Sequence, residues 1–198
     1  SKRLRASCIR VRAFLGDGSI LKSAALKKII EAYLKKEQLE KNDAFARLKK
    51  PFLAKARKNI AVARLLMGIS GRNEFKEALG LPSDFDSYDW VVIIAYYSMY
   101  VSSLAALANL SLKSRSHAAT LAVLEYEYVL KKKLDEKHLQ NLSNAFSLSE
   151  EMITRLMQAK TNRETAQYDA TPEIARQNAI SALEYAEEFI TRVEEILH

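Results

Sequence analysis

The chain has 198 residues, of which 48% are hydrophobic and 28% charged, and it contains only five glycines and three prolines. So little glycine and proline cannot supply the many turns of a β-sandwich, a β-barrel or an alternating α/β fold, and the composition therefore predicts helices. A single cysteine, Cys8, excludes an internal disulfide and a cysteine-based zinc cluster, which favours a reducing, cytoplasmic location.

The net charge of +7 is unevenly distributed. Residues 1–60 hold 17 Lys and Arg against five Asp and Glu, whereas residues 61–198 hold 14 against 19. A basic end of this kind attracts polyanions, among which RNA and DNA are abundant in cells. The candidates for nucleic-acid contact are the basic residues at the start of the chain, Lys2, Arg3, Arg5, Arg10 and Arg12. The alternative is a solvated helix face with no ligand.

Apolar residues recur with a helical period from residue 21 onward. They predict a first helix over residues 21–41 and a second helix that takes Pro51 into its first turn and ends at Gly68. Residues 70–89 contain two glycines and a proline, which predicts a connection with at most a short helix. The stretch 90–112 carries no charge, and we expect a central helix of a bundle there rather than a membrane span.

The second half of the chain continues with the same period. Residues 116–134 predict one helix, and a further helix opens at residue 139 with a kink or restart near Ser147. Pro172 follows a threonine and precedes a glutamate, which predicts the start of a last helix of about 25 residues.

These elements predict an all-α fold. We expect an up-and-down bundle of four to five long antiparallel helices in residues 49–198, preceded by a basic helical extension in residues 1–48. Because the apolar stripes between residues 52 and 197 follow the 3.6-residue period, no β-sheet is expected there. The helix at residues 90–110 should be the most buried one.

Five short patterns resemble the HEPN family and occur in the family's order. They are Lys55-Ala56-x-x-Asn59-Ile60, Ala95-Tyr96-Tyr97-Ser98-Met99-Tyr100, Ser116-His117, Arg163-Glu164-x-Ala166-x-Tyr168-Asp169, and Ala186-Glu187-Glu188-Phe189. Within that family the chain is most similar to the uncharacterised prokaryotic branch with an R-x-x-A-D-Y-like motif. The resemblance covers about residues 50–198. It implies a four- or five-helix bundle that forms a homodimer and is often encoded beside a minimal nucleotidyltransferase.

Some HEPN proteins are metal-independent endoribonucleases with an R-x(4–6)-H motif, but here Arg163 is followed at that spacing by Tyr168. An ordinary tyrosine, with a pKa of about 10, accepts protons poorly at neutral pH. The resemblance therefore implies binding of RNA or a nucleotide, or pairing with a nucleotidyltransferase partner protein, in a toxin–antitoxin or defence setting without efficient catalysis. A non-catalytic dimeric interaction protein and a metal-independent ribonuclease are the alternatives.

The candidate ligand-binding residues are Arg163, Tyr168, Tyr97, Tyr100 and His117. Arginine can bind a phosphate through two hydrogen bonds, tyrosines can stack on a base, and histidine can carry a proton. Arg163, Tyr168 and His117 are also the candidate catalytic residues under the ribonuclease alternative. Each has a structural alternative: an ion pair of Arg163 with Glu184 or Glu188, tyrosine packing in the core or a dimer interface, and a histidine that only begins a helix.

The three histidines lie far apart in the sequence, so they cannot form a helix-borne pair at metal-ligand spacing. We therefore expect no metal and no cofactor. His138 and His198 are expected at the surface.

Overall fold

The computed structural model of the protein describes residues 19–147 and 172–198. Within these ranges the helices are α1 (Ser19–Lys35), α2 (Lys49–Gly71), α3 (Asn73–Ala78), α4 (Tyr88–Ala108), α5 (His117–Leu124), α6 (136–147) and α7 (Pro172–Leu197). Two short strands, β1 (Leu39–Lys41) and β2 (Leu112–Ser114), accompany them. The predicted all-α helical bundle is confirmed.

Helices α2, α4 and α7 form the centre of the bundle. Helices α2 and α4 are antiparallel, because Lys55 bonds to Tyr97 near one end while the hydroxyls of Ser70 and Ser87 lie 2.8 Å apart near the other. Small side chains occupy buried positions on all three helices, and the alanines there are completely buried: Ala56, Ala63, Ala95, Ala105, Ala179 and Ala186. Ion pairs at the edge, Arg57–Glu194 and Arg64–Glu187, join α2 to α7.

Helix α4 contains more buried residues than any other helix in the described ranges, as predicted. Its length and composition would allow it to cross a membrane, but 61% of its most apolar window is buried within the protein. Two of its serines bond within the helix, since Ser98 Oγ donates to the Ile94 carbonyl and Ser103 Oγ to the Tyr100 carbonyl, both at 2.7 Å. The buried Ser102 hydroxyl has no hydrogen-bond partner among the described residues. The burial favours a core helix.

The predicted first helix, residues 21–41, is wrong in its second part. Helix α1 ends at Lys35, and Glu37 adopts a φ of 54°, which stops the helix. The chain then pairs Leu39–Lys41 antiparallel with Leu112–Ser114. The expectation that no sheet occurs between residues 52 and 197 is therefore also wrong. Strands of three residues are too short to show an alternating apolar pattern.

The predicted helix 116–134 is also shorter than expected. Helix α5 continues as a π-helical turn over Glu125–Val129, and Lys132 then takes a φ of 55° before α6 begins. Helix α2 ends at Gly71 rather than Gly68, and α7 begins at Pro172 as predicted. The restart expected after Ser147 lies outside the described residues.

The segment from residue 19 to residue 48 packs onto the bundle. Leu26 and Leu39 are 1% and 2% exposed, and Leu39 belongs to the main hydrophobic core. Backbone hydrogen bonds from Asn42 to Ser111 and from Arg115 to Gln38, each 2.9 Å long, extend the contact beyond the strands. The division into residues 1–48 and 49–198 remains a prediction, but the described part of the first unit shares the core of the second.

Candidate functional site

The structure brings together three of the predicted ligand-binding side chains. Tyr97 and Tyr100 lie on neighbouring turns of α4 with ring centroids 6.3 Å apart. The ring of His117, at the first position of α5, meets the ring of Tyr100 edge-on at 5.3 Å. Arg163 and Tyr168 lie outside the described residues, as do the basic candidates Lys2, Arg3, Arg5, Arg10 and Arg12.

The ring at the centre of this group belongs to Phe146, which was not among the residues predicted from the sequence. Phe146, near the end of the described part of α6, stacks parallel on His117 with centroids 4.0 Å apart. Tyr100 and Tyr96 contact the same phenyl ring edge-on, at 5.7 and 6.0 Å. We call Tyr96, Tyr97, Tyr100, His117 and Phe146 the aromatic cluster. The sequence pattern marks Phe146 only as an apolar position of a helix. That pattern does not indicate that its ring contacts His117, Tyr100 and Tyr96.

Local capping fixes the position of His117. Ser116 is the N-cap of α5, and its Oγ accepts a hydrogen bond of 3.4 Å from the backbone N–H of Ala119. The buried Thr120 hydroxyl donates to the Ser116 carbonyl at 3.0 Å. These two hydrogen bonds hold the first turn of α5, from which the His117 ring projects, against Ser116.

Lys55 adds a positive charge to the exposed edge of the aromatic cluster. Its Nζ donates to the Tyr97 hydroxyl at 3.3 Å and lies 5.3 Å from the centre of the Tyr97 ring. Tyr97 is 43% exposed and Lys55 is exposed, so both can contact a ligand. The sequence contained Lys55 within the family pattern, but nothing in the pattern related it to Tyr97.

Burial and the neighbouring Tyr97 raise the pKa of Tyr100 above its ordinary value of 10.0. At neutral pH the Tyr100 hydroxyl is therefore protonated and serves as a hydrogen-bond donor. This side chain is unsuited to act as a general base.

His138 is not at the surface, and that prediction is wrong. Its side chain is only 4% exposed because α6 packs against α7, where the ring meets Phe189 edge-on at 6.4 Å. Burial lowers the pKa of His138, although Glu188, 4.0 Å from its Nε2, acts in the opposite direction. His198 is exposed, as expected.

Glu188 has a described partner of its own. Its carboxylate accepts a 2.6 Å hydrogen bond from Lys137, which lowers the pKa of Glu188. An ion pair between Arg163 and Glu188 would have to share this carboxylate. Within residues 19–147 and 172–198, no group of three or more His, Cys, Asp or Glu residues could hold a metal ion.

An exposed apolar surface adjoins the Lys55–Tyr97 contact. Val62 follows Lys55 by seven residues on α2, and Trp90 precedes Tyr97 by seven residues on α4. Seven residues are about two helical turns, so each lies on the same face of its helix as the residue it is counted from. Because α2 and α4 are antiparallel and Lys55 contacts Tyr97, Val62 and Trp90 fall opposite one another. Val62 is 46% exposed, and Leu65 and Trp90 are each 62% exposed. We call Val62, Leu65 and Trp90 the apolar stripe.

The site therefore combines stacked rings, one lysine at their edge and an apolar surface beside them, on the helices that carry the HEPN-like patterns. The sequence model of the HEPN domain family matches residues 50–196, which include every helix from α3 to α6 and most of α2 and α7. No curated protein and no solved structure has a significant match to the chain. The extent of the family match shows that the chain belongs to the HEPN family.

Proposed function

We propose that this HEPN protein binds RNA at the aromatic cluster, with Lys55 contacting a phosphate, and that it does so without efficient catalysis. The observation that carries the proposal is the exposed Lys55–Tyr97 pair beside the stacked rings of His117 and Phe146. Unpaired bases stack on aromatic and histidine side chains, and the adjacent cation can neutralise the backbone. A free nucleotide offers the same two chemical groups and is the smaller ligand that this site would accept.

We expect weak catalysis because the tyrosines of the site are poor general bases. A general base works best when its pKa lies near the operating pH. Burial moves the pKa of Tyr100 further above neutrality, and Tyr168 stands where ribonuclease members of the family carry histidine. His117 is the residue of the cluster whose side-chain type most often transfers protons in enzymes, so any residual cleavage should depend on it.

The binding test compares two variants that remove different interactions. Single-stranded RNA is titrated against the full chain over a range of salt concentrations. Tyr97→Ala should weaken binding about tenfold with an unchanged salt slope, because one stacked base is lost. Lys55→Gln should weaken binding and reduce the salt slope by about one released counterion. Lys137→Gln, which removes an exposed lysine of α6 that bonds to Glu188, is the matched control.

Equal effects of Lys55→Gln and Lys137→Gln would contradict the proposed site. RNA that stays intact without metal agrees with binding alone. Cleavage that disappears in His117→Gln or Tyr168→Phe would instead support the ribonuclease alternative.

We further propose that the protein is a homodimer through the apolar stripe. Two copies that cover Trp90, Leu65 and Val62 would bring two Lys55–Tyr97 pairs to the edges of one shared cleft. A stable interface buries about 800 Å² on each partner, so the helix faces around the stripe must also take part. Such a cleft would concentrate positive charge, which suits a polyanion.

Sedimentation tests the dimer directly. Trp90→Glu should produce a folded monomer, because the charge cannot be buried in the interface. Leu21→Glu is the control, since Leu21 is 72% exposed on α1 and lies outside the stripe. A wild-type protein that sediments as a monomer would contradict this part of the proposal.

The biological setting and the partner protein rest on the family alone. HEPN proteins of this type are expected beside a minimal nucleotidyltransferase in toxin–antitoxin or defence loci. A neighbouring reading frame with the Gly-Ser pattern of a nucleotidyltransferase, and co-purification of its product with this chain, would support the partnership. Co-purification that persists when RNA binding is lost would favour the interaction-protein alternative.

A further inference from the structure

A groove, which we call the arginine groove, lies between the C-terminal half of α2 and the N-terminal half of α7, away from the aromatic cluster. It has a volume of about 340 Å³ and is lined by Arg64, Met67, Gly68, Gly71, Arg72, Arg176 and Leu183. Lys55 and Gly68 are separated by 13 residues of the same helix, or about 20 Å along its axis. The groove is therefore distinct from the proposed RNA site.

Three arginines line the groove, and their charges are unequally compensated. Arg64 donates a 2.6 Å hydrogen bond to the Glu187 carboxylate, and Arg72 lies over the Phe75 ring with its guanidinium carbon 5.3 Å from the centroid. Arg176 has no hydrogen bond or ion pair to any residue of 19–147 or 172–198. Two of the three arginines thus have no carboxylate partner among the described residues, so their charges are available to a bound anion.

The rest of the lining is apolar and leaves room. The hydrophobic side chains are Met67 and Leu183, and Met67 can adapt to the shape of a ring. A Cβ at Gly71 would meet no atom of residues 19–147 or 172–198 within 4 Å, so among these residues the glycine leaves open space at that wall. The volume is within the range of small-molecule sites.

We infer that this groove binds an organic phosphate monoester, whose phosphate lies between Arg72 and Arg176 and whose apolar or aromatic part lies over Met67 and Leu183. A phosphate monoester carries nearly two negative charges at neutral pH and offers three acceptor oxygens. Guanidinium groups bind such oxygens in pairs of parallel hydrogen bonds, which a lysine cannot do. The volume of about 340 Å³ suits a small-molecule ligand.

Phenyl phosphate is the probe, because it joins one phosphate monoester to one ring. Calorimetric titration of the full chain should give a Kd of about 1 mM or tighter. Inorganic phosphate and phenol, titrated separately, should each bind at least about tenfold more weakly, because each supplies only half of the contacts.

Two variants remove the two halves of the site in different ways. Arg176→Gln removes the uncompensated charge, and Gly71→Leu fills the open wall without changing charge. Gly71 does not have a positive φ, so a leucine can adopt its backbone conformation. Each variant should weaken phenyl phosphate binding at least about tenfold. Arg192→Gln, an α7 arginine paired with Glu195, is the matched control and should bind as the unchanged protein does.

RNA affinity of the same variants separates this inference from the proposed function. It should be unchanged in Arg176→Gln and Gly71→Leu, because the aromatic cluster is untouched. The inference is overturned if phenyl phosphate shows no saturable binding, if inorganic phosphate binds as tightly, if the variants bind like Arg192→Gln, or if RNA affinity falls in parallel. Loss of RNA binding in Lys55→Gln with phenyl phosphate binding intact would support both sites.

Discussion

Replacing Leu39 by alanine tests whether the segment before the family match belongs to the core. Leu39 is 2% exposed and packs into the main hydrophobic cluster from β1, whereas Leu21 on α1 is 72% exposed. Leucine-to-alanine changes at buried sites cost about 2.7–5.0 kcal/mol, depending on how far the cavity collapses. Because β1 is a short edge element that can relax, we expect about 3 kcal/mol for Leu39→Ala. The same change at Leu21 should stay within about 0.5 kcal/mol.

Thermal and urea unfolding followed by circular dichroism measure the difference. For a chain of this length each 1 kcal/mol shifts the Tm by about 2–4 °C, so Leu39→Ala should lower it by about 6–12 °C. Equal, small effects at Leu39 and Leu21 would refute the conclusion that residues 39–41 complete the core. The result also decides how RNA binding should be tested, because deletion of residues 1–48 would remove Leu26 and Leu39 along with the basic charges.

Three further predictions concern stability. Ser116→Ala removes the N-cap of α5 and should cost about 1 kcal/mol in urea unfolding. Tyr128→Phe leaves the Ala106 carbonyl without its 2.8 Å hydrogen bond and should cost about 1–3 kcal/mol in the free energy of unfolding. Because burial raises the pKa of Tyr128 to about 12, the hydroxyl stays protonated in the folded protein, and this cost should be constant from pH 6 to pH 9. Burial lowers the pKa of His138, so as the pH falls the imidazole is protonated in the unfolded chain before it is protonated in the folded protein. The contribution of His138 to the free energy of unfolding should therefore be complete above pH 6.5 and decrease as the pH drops below 6.5. His138→Gln should flatten this fall in pH-dependent denaturation curves, and an unchanged pH profile would contradict the reasoning.

Long helices with a clear apolar period could be predicted from the sequence. Helices α2, α4 and α7 lie close to their predicted positions, because each extends over 20 residues or more and buries one face against the other two. Pro172 marks the start of α7 because proline is tolerated in the first turn of a helix.

Short and non-local features could not be predicted. The β1–β2 ladder joins three residues on each side across more than 70 positions, and neither strand has a sequence pattern of its own. The burial of His138 depends on the packing of α6 against α7, not on its neighbours in the chain.

The candidate site, too, could be predicted only in part from the sequence. Tyr97, Tyr100 and His117 were identified from the family patterns, and the structure places them in contact. Phe146 and Lys55 complete the arrangement only through folding, because they come from α6 and α2. The arginine groove likewise joins residues more than 100 positions apart.

Photo-crosslinking of thiouridine-labelled single-stranded RNA to the full chain, with the crosslinked peptides identified by mass spectrometry, tests the central claim most directly. The account predicts crosslinks at Tyr97, Tyr100 or His117. At a fixed RNA concentration below saturation, those at Tyr100 and His117 should fall about tenfold in Tyr97→Ala and persist unchanged in Arg176→Gln. Crosslinks confined to residues 1–12 or to the arginine groove, with none at the aromatic cluster, would contradict it.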